Sequence, residues 1–212
     1  LTQDEGGGEG GEEDRLRRME ELGVLHNTSL SNRDLVLSRT LDTIDVMLRD
    51  RGYSLVEREA DTMERVKSSS FVVRGEKRDG DVVEVYFSDE EKVGVKYMRS
   101  LLDSSQAETI LIVSVDGPTA FTRKEAVGTK VQFFLFSELA FVVVRHVLVP
   151  THERLTREET KVLPFDPLHC PKLFSSDAVS RYYAYEPGDI IRITRTVGVP
   201  EPTFYYRRVV PG

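Results

Sequence analysis

The run Thr109–Val115, TILIVSV, sets the strongest limit on how this chain can fold. Its apolar, β-branched residues do not alternate with polar ones. A strand built from it must therefore be covered on both faces, as a central strand of a sheet is. The segments around it supply the cover. SNRDLVLSRTLDTIDVMLRDRGY predicts a helix capped by Ser31, with Leu37, Leu41, Ile44 and Leu48 as its core-facing stripe and Gly52 just past its end. SSSFVVRGEK and GDVVEVYF predict two strands joined by a KRDG hairpin turn. VGVKYMRSLLDSSQ predicts a short helix leading into the apolar strand. DGPTAFTRKEAVG predicts a turn at Gly117–Pro118 and a short basic helix. VQFFLFSELAFVVVRHVLVP predicts two short strands broken near Ser137–Glu138. This order makes an α/β or α+β layer domain over residues 30–149, ending near Val149–Pro150.

Residues 150–212 read as a smaller α+β unit. In THERLTREETKVL, Glu159 follows Thr156 at the spacing of a capping box. PFDPLHCP carries three prolines in eight residues and reads as an irregular connector. Asp177 or Ser176 caps a helix over AVSRYYAY, and Pro187–Gly188 turns the chain. DIIRITR alternates Ile190, Arg192 and Thr194 with Ile191, Ile193 and Arg195, the pattern of a half-buried strand. TFYYRRVV is its hairpin partner across the loop TVGVPEP.

At the other end, LTQDEGGGEGGEED has almost nothing to bury. Residues 1–29 are expected to form a disordered acidic, glycine-rich tail. The tail lacks the basic start and apolar core of a signal peptide. The 212 residues carry a formal net charge of −7, unevenly spread. Residues 1–150 hold 20 basic and 28 acidic side chains, and residues 151–212 hold 9 and 8. Nonspecific nucleic-acid affinity comes from Lys and Arg neutralising phosphates, so this balance argues against a chain that coats nucleic acid by itself. No apolar run approaches the roughly 18 residues of a membrane helix. The longest candidate, FFLFSELAFVVV, is interrupted by Glu138. Cys170 is the single cysteine, so no internal disulfide can form, which fits a reducing compartment. None of the four histidines shares a ligand spacing with it, and it reads as a plain thiol.

Catalytic signatures are missing. There is no GxSxG, no HExxH and no P-loop. Glu84, Asp89, Glu90 and Glu91 gather at the end of VVEVYF with Lys96 nearby, the rough layout of a metal-dependent nuclease. The Glu-x-Lys pairing on one strand face is absent, and SDEE reads as a solvated turn. His146 and His152 flank VLVPT at a spacing that does not put both rings on one helical face. The turn DGPTAFTRK has more to offer, because amides at a helix start and the side chains of Arg123 and Lys124 suit phosphate. Two open readings therefore stand beside a structural one: a divergent nuclease-like enzyme and a free-standing nucleic-acid-binding module.

Six segments, in order along the chain, also carry a resemblance. HVLVPTHERLTREE resembles the H-x-LVP-x-H segment of the fifth subunit shared by the eukaryotic nuclear RNA polymerases. SDAVSRYYAYEPGDIIRITR is similar to that family's DPVA…G…I-x-R segment, which it shares with the corresponding small subunit of the archaeal RNA polymerase. TFYYRRVV resembles the closing Y-x-x-YR strand, MLRDRGY and VGVKYM the family's RGY and VGVK segments, and GPTAFTRK its TPSA turn. The resemblance covers about residues 30–210.

It implies a non-catalytic polymerase subunit, without cofactor or metal, working in the nucleus as part of a nucleotidyltransferase complex. The N-terminal unit would be a three-layer jaw domain resembling a restriction-endonuclease fold without its catalytic residues, lying near downstream duplex DNA. The C-terminal unit would be an assembly domain docking on the largest subunit. Partners would be that subunit, other polymerase subunits and, weakly, duplex DNA; neither a membrane nor a homo-oligomer is implied. The TPSA match points to Pro118, Thr119 and Ala120 near DNA, and our own reading adds Arg123 and Lys124 for phosphate. The docking matches point to His146, Leu148, Val149, Pro150 and His152, then to Asp177, Val179, Tyr182, Gly188, Ile193 and Arg195, and to Tyr206 and Arg207.

The chain departs from the family pattern in places. Ala178 replaces a proline, Gly117 replaces a threonine, and the turn centred on Glu186 and Asp189 is acidic where the family is basic. Ala184 or Tyr185 stands where the family has glycine. Neither residue takes a positive φ comfortably, so the helix end is expected to differ or to be held by Gly188 instead.

Overall fold

The computed structural model describes residues 30–58, 71–88, 90, 92–196 and 201–212. The expected acidic tail, most of the SDEE carboxylates and the centre of the TVGVPEP loop lie outside these residues. The chain divides into two compact units between Phe141 and Val142, earlier than Val149–Pro150.

The first unit begins with α1 (Leu30–Asp50). Leu37, Leu41, Ile44 and Leu48 are all buried, and Met47 joins them. The helix starts at Leu30, so Ser31 lies in its first turn and not before it, as its expected capping role required. Gly52 ends it with φ +88°, a left-handed backbone that only glycine adopts freely. Tyr53 N then closes on Leu48 O at 2.9 Å.

Five strands make one sheet: β1 (Ser54–Arg58), β2 (Val73–Glu76), β3 (Val82–Phe87), β4 (Thr109–Ser114) and β5 (Val131–Leu135), ordered in space as in sequence. The β1–β2–β3 pairs are antiparallel, and the β3–β4–β5 pairs are parallel. Parallel neighbours need crossovers, which α2 (Val95–Ser104) and α3 (Ala120–Glu125) provide. β4 is paired on both sides, and its residues from Ile110 to Ser114 are buried. Each large aliphatic side chain so covered stabilises the fold by about 1.5–3 kcal/mol. The KRDG turn closes through Lys77 N to Asp81 O at 2.9 Å and Gly80 N to Lys77 O at 3.0 Å. Lys77 Nζ and the Tyr53 hydroxyl both donate to Asp81 Oδ2, at 2.6 and 2.9 Å, and tie this hairpin to the end of α1.

The second strand expected in VQFFLFSELAFVVVRHVLVP does not form. After β5 the chain folds into turns. Glu138 Oε2 accepts from Leu135 N at 2.8 Å, and Leu139 N is bonded to Leu135 O and Phe136 O. Leu139 reaches the core while Phe141 is exposed, so the apolar run is spent on a turn plug rather than a ladder.

The second unit opens with a 3₁₀ turn, Val143–Arg145, and contains β6 (Thr151–Arg154), α4 (Arg157–Lys161), a second 3₁₀ turn (Pro167–His169), β7 (Lys172–Phe174), α5 (Ala178–Tyr183), β8 (Ile190–Arg195) and β9 (Thr203–Val210). The sheet order is β6–β8–β9–β7, with β7 parallel to β9 and the other pairs antiparallel. Leu173, Tyr185, Ile191, Ile193 and Val209 form its core. The capping box is complete: Thr156 Oγ1 accepts from Glu159 N, and Glu159 Oε2 accepts from Thr156 N at 2.8 Å. The Thr156 amide, and then its hydroxyl, which also donates to Oε2 at 2.8 Å, hold the Glu159 carboxyl below its ordinary range. Both units are thus mixed helix and sheet, an α+β chain with two mixed sheets.

Two short strands, β6 and β7, were not legible beforehand. Each is only three or four residues long and carries no hydrophobic alternation of its own. The expectation about Ala184 is overturned. It ends α5 with φ +53° and ψ +48°, the one described non-glycine residue with a positive φ. Ala184 N bonds Arg181 O, and Tyr185 N bonds Ser180 O at 2.9 Å, closing the helix end as a Schellman turn. The turn drops Tyr185 into the core, its ring stacked on Tyr183 at 5.3 Å and its hydroxyl donating to His152 O at 3.2 Å. Burying a tyrosine outweighs the roughly 1–2 kcal/mol of left-handed strain.

Candidate interface groove

Three places held the chemistry expected from the sequence. In the first, Glu84 on β3 points into the core. Its Oε2 accepts from Tyr86 OH at 2.8 Å and Ser105 Oγ at 2.6 Å, and its Oε1 sits 3.3 Å from Arg74 Nη1. One carboxylate oxygen thus ties β3 to the end of α2 at Ser105, and the other faces Arg74 on β2. No group of three or more His, Cys, Asp or Glu able to hold a metal occurs among the described residues.

The second is the turn Gly117–Lys124. Val93 N donates to Gly117 O at 3.0 Å, and Thr119 N donates to Val93 O at 3.2 Å, which pins the turn to the loop before α2. Gly117 has φ +74°, so glycine suits the turn where the family pattern has threonine. Thr119 caps α3 by accepting from Thr122 N, and buried Thr122 Oγ1 donates to Val93 O at 2.9 Å. Pro118 and Thr119 are half-buried, while Ala120, Phe121, Arg123 and Lys124 face solvent. The structure thus presents a rigid turn with two cations on its helix.

The third is a groove of about 1070 Å³ in the second unit. It brings together Leu148, Val149, Pro150 and His152 from the first docking segment, Asp177, Val179, Ile193 and Arg195 from the second, and Tyr206 and Arg207 from the third. Local chemistry aims these residues. His146 Nδ1 accepts from Leu148 N at 3.2 Å, bending the chain so that Leu148 stands 75% exposed. His152 Nδ1 bonds Pro150 O at 2.8 Å. Asp177 Oδ1 caps α5 through Val179 N at 2.9 Å. Arg195 lies over the Tyr205 ring at 5.8 Å. Three expected residues stand apart from the groove. His146 only shapes its rim, Tyr182 is buried edge-on against Tyr183, and Gly188 serves the turn into β8, donating to Val209 O at 3.0 Å. In that turn Asp189 Oδ2 accepts from Glu186 N at 2.9 Å and faces Arg154 at 3.4 Å, so the acidic pair is partly spent internally.

The groove also holds Phe165, Leu173 and Phe204, which sequence reasoning passed over, and His169 and Cys170, to which it gave no site role. Phe165 packs edge-on against Tyr206 at 5.2 Å, and Phe204 is 55% exposed. Burial pushes the Cys170 thiol above its ordinary range, keeping it an inert thiol. The signal available was the aromatic run FYY, which a two-residue period must split between the two faces of the sheet.

The molecule is a two-unit α+β protein with a turn carrying two exposed cations on one unit and a groove with exposed apolar side chains on the other, both candidate surfaces for a partner. The family described as RNA polymerase Rpb5, C-terminal domain, matches residues 141–209. The DNA-directed RNA polymerases I, II, and III subunit RPABC1 of Caenorhabditis briggsae is 26% identical over 202 residues, covering 82% of this chain and 95% of the relative. Its counterpart in Dictyostelium discoideum is 28% identical over 170 residues, covering 72% and 86%. The DNA-directed RNA polymerase subunit Rpo5 of Archaeoglobus fulgidus is 34% identical over 76 residues, 34% of this chain and all of that relative. The chain belongs to the Rpb5 family of RNA polymerase subunits.

Proposed function

We propose that this chain is a non-catalytic, structural subunit of a nuclear DNA-directed RNA polymerase. The second unit docks on the largest polymerase subunit through the groove. The observation that carries this reading is the convergence of Leu148, Val149, Pro150, His152, Ile193, Arg195, Tyr206 and Arg207, far apart in sequence, on one exposed apolar concavity. Exposed Leu148, Phe204 and Tyr205 beside it are costly to leave in water and suit a partner surface. His146, Tyr182 and Gly188 then act indirectly, by holding the rim and the helix–strand turn. The boundary of this docking unit falls between residues 141 and 150.

The first unit serves as the jaw, a restriction-endonuclease-like layer structure in which the β3 carboxylate Glu84 is a packing group. Its turn of Pro118, Thr119 and Ala120, with Arg123 and Lys124 beside it, lies near downstream duplex and touches phosphate weakly. Support comes from the exposed cations on a turn pinned by Val93. The test is a tagged pull-down of the full chain with mass spectrometry of what it retains. Stoichiometric recovery of a largest polymerase subunit is the expected result. Recovery of no large polymerase subunit overturns the reading.

A further inference from the structure

β9 is paired unequally along its two sides. On its inner side β8 pairs with six of its eight residues, from Arg195↔Thr203 to Ile190↔Arg208. On its outer side β7 reaches only Arg208, Val209 and Val210. Arg208 N donates to Pro171 O at 2.9 Å and Val210 O accepts from Ser175 N at 2.8 Å, so these residues turn their backbone groups outward. Backbone direction alternates along a strand, which makes Tyr206 and Phe204 face the same outer side. Among the described residues nothing bonds the N–H or C=O of either residue there.

The connector explains the gap. Extended backward, β7 would run beside Tyr206 and Phe204. Pro171 offers no N–H, Pro167 opens a 3₁₀ turn, and Asp166 Oδ1 accepts from Leu168 N at 2.9 Å, so the chain turns away. The groove is lined by this connector on one hand and by Phe204–Arg207 on the other. It therefore lies where a strand is missing.

Resting on the polymerase reading, we propose that an extended segment of the largest polymerase subunit fills this gap by adding as a strand to β9 at Phe204–Tyr206. Main-chain bonds supply the register, and alternate apolar side chains enter the groove. Charge selects the segment. Arg195 and Arg207 are exposed on β8 and β9 at the groove, Arg207 also donating to Lys172 O at 3.0 Å, while Asp166 and Asp177 lie on the connector and at the start of α5 and accept from Leu168 N and Val179 N. The strand side of the groove is therefore positive, and the segment places acidic side chains against it.

Phe204→Pro and Phe204→Ala in the full chain separate the edge from the ring. Both delete the ring, but only proline removes the outward N–H. Proline is tolerated at such an edge because the β8 ladder does not use that donor. In the pull-down, Phe204→Pro is expected to retain about tenfold less polymerase subunit than Phe204→Ala, with an unchanged circular dichroism spectrum. Equal retention by the two variants overturns strand addition and leaves the polymerase reading standing. Failure of the unsubstituted chain to retain any polymerase subunit overturns both. Hydrogen exchange on the unsubstituted chain decides the matter independently of how the variants fold. The Phe204 and Tyr206 amides are expected to exchange about a hundredfold more slowly in the assembled polymerase than in the free chain. Unchanged rates, or protection already present in a free chain that sediments as a dimer, overturn the proposal.

Discussion

Ala184 occupies a conformation that costs an L-residue roughly 1–2 kcal/mol, and the chain has kept a methyl group where glycine would be relaxed. The cost is borne because the turn delivers Tyr185 to the core. Replacing Ala184 by glycine removes the strain, and glycine's extra freedom in the unfolded chain takes part of the gain back. Ala184→Gly is expected to raise stability by about 0.5–1 kcal/mol, read as a higher urea midpoint at unchanged slope. A lower midpoint would show that the alanine methyl makes a contact worth more than the strain. Residue types alone argued against this conformation, since propensity prices a residue by itself and cannot price the tyrosine that follows.

At the scale of elements, the short α3 depends on its first bond. Thr119 caps it, and Thr122 fastens it to Val93 in the loop before α2. Thr119→Ala is expected to cost about 1 kcal/mol in chemical denaturation. It should also speed amide exchange from residue 120 to residue 125, while β4 keeps its protection. The longer elements α1, β3, β4, β8 and β9 were legible because their apolar patterns run for several periods. β6 and β7 were not. Their partners in the sheet, β8 and β9, select these strands, and three or four residues carry too little pattern to announce them. The run from Phe133 to Val144 failed for a related reason. Its composition suits a strand, but Glu138 and Leu139 found better bonds in a turn.

For the whole molecule, the division between Phe141 and Val142 has a physical consequence. The second unit owns a four-stranded sheet and a core of Leu173, Tyr185, Ile191, Ile193 and Val209, and an archaeal relative is matched over its entire length by 76 residues of alignment. Residues 142–212 expressed alone are expected to melt cooperatively, followed by circular dichroism. A non-cooperative melt would mean that the first unit is needed to complete that core. What the sequence by itself determined is the long periodic elements, the Thr156–Glu159 capping box and the family, because each rests on residues close together in the chain or on ordered motifs. Only the tertiary structure decided that segments near 150, 177, 193 and 206 meet in one groove, that Glu84 turns inward, and that β9 keeps an open edge. These are outcomes of long-range packing. They depend on which strand lies beside which, and no local pattern of residues encodes a neighbour fifty positions away.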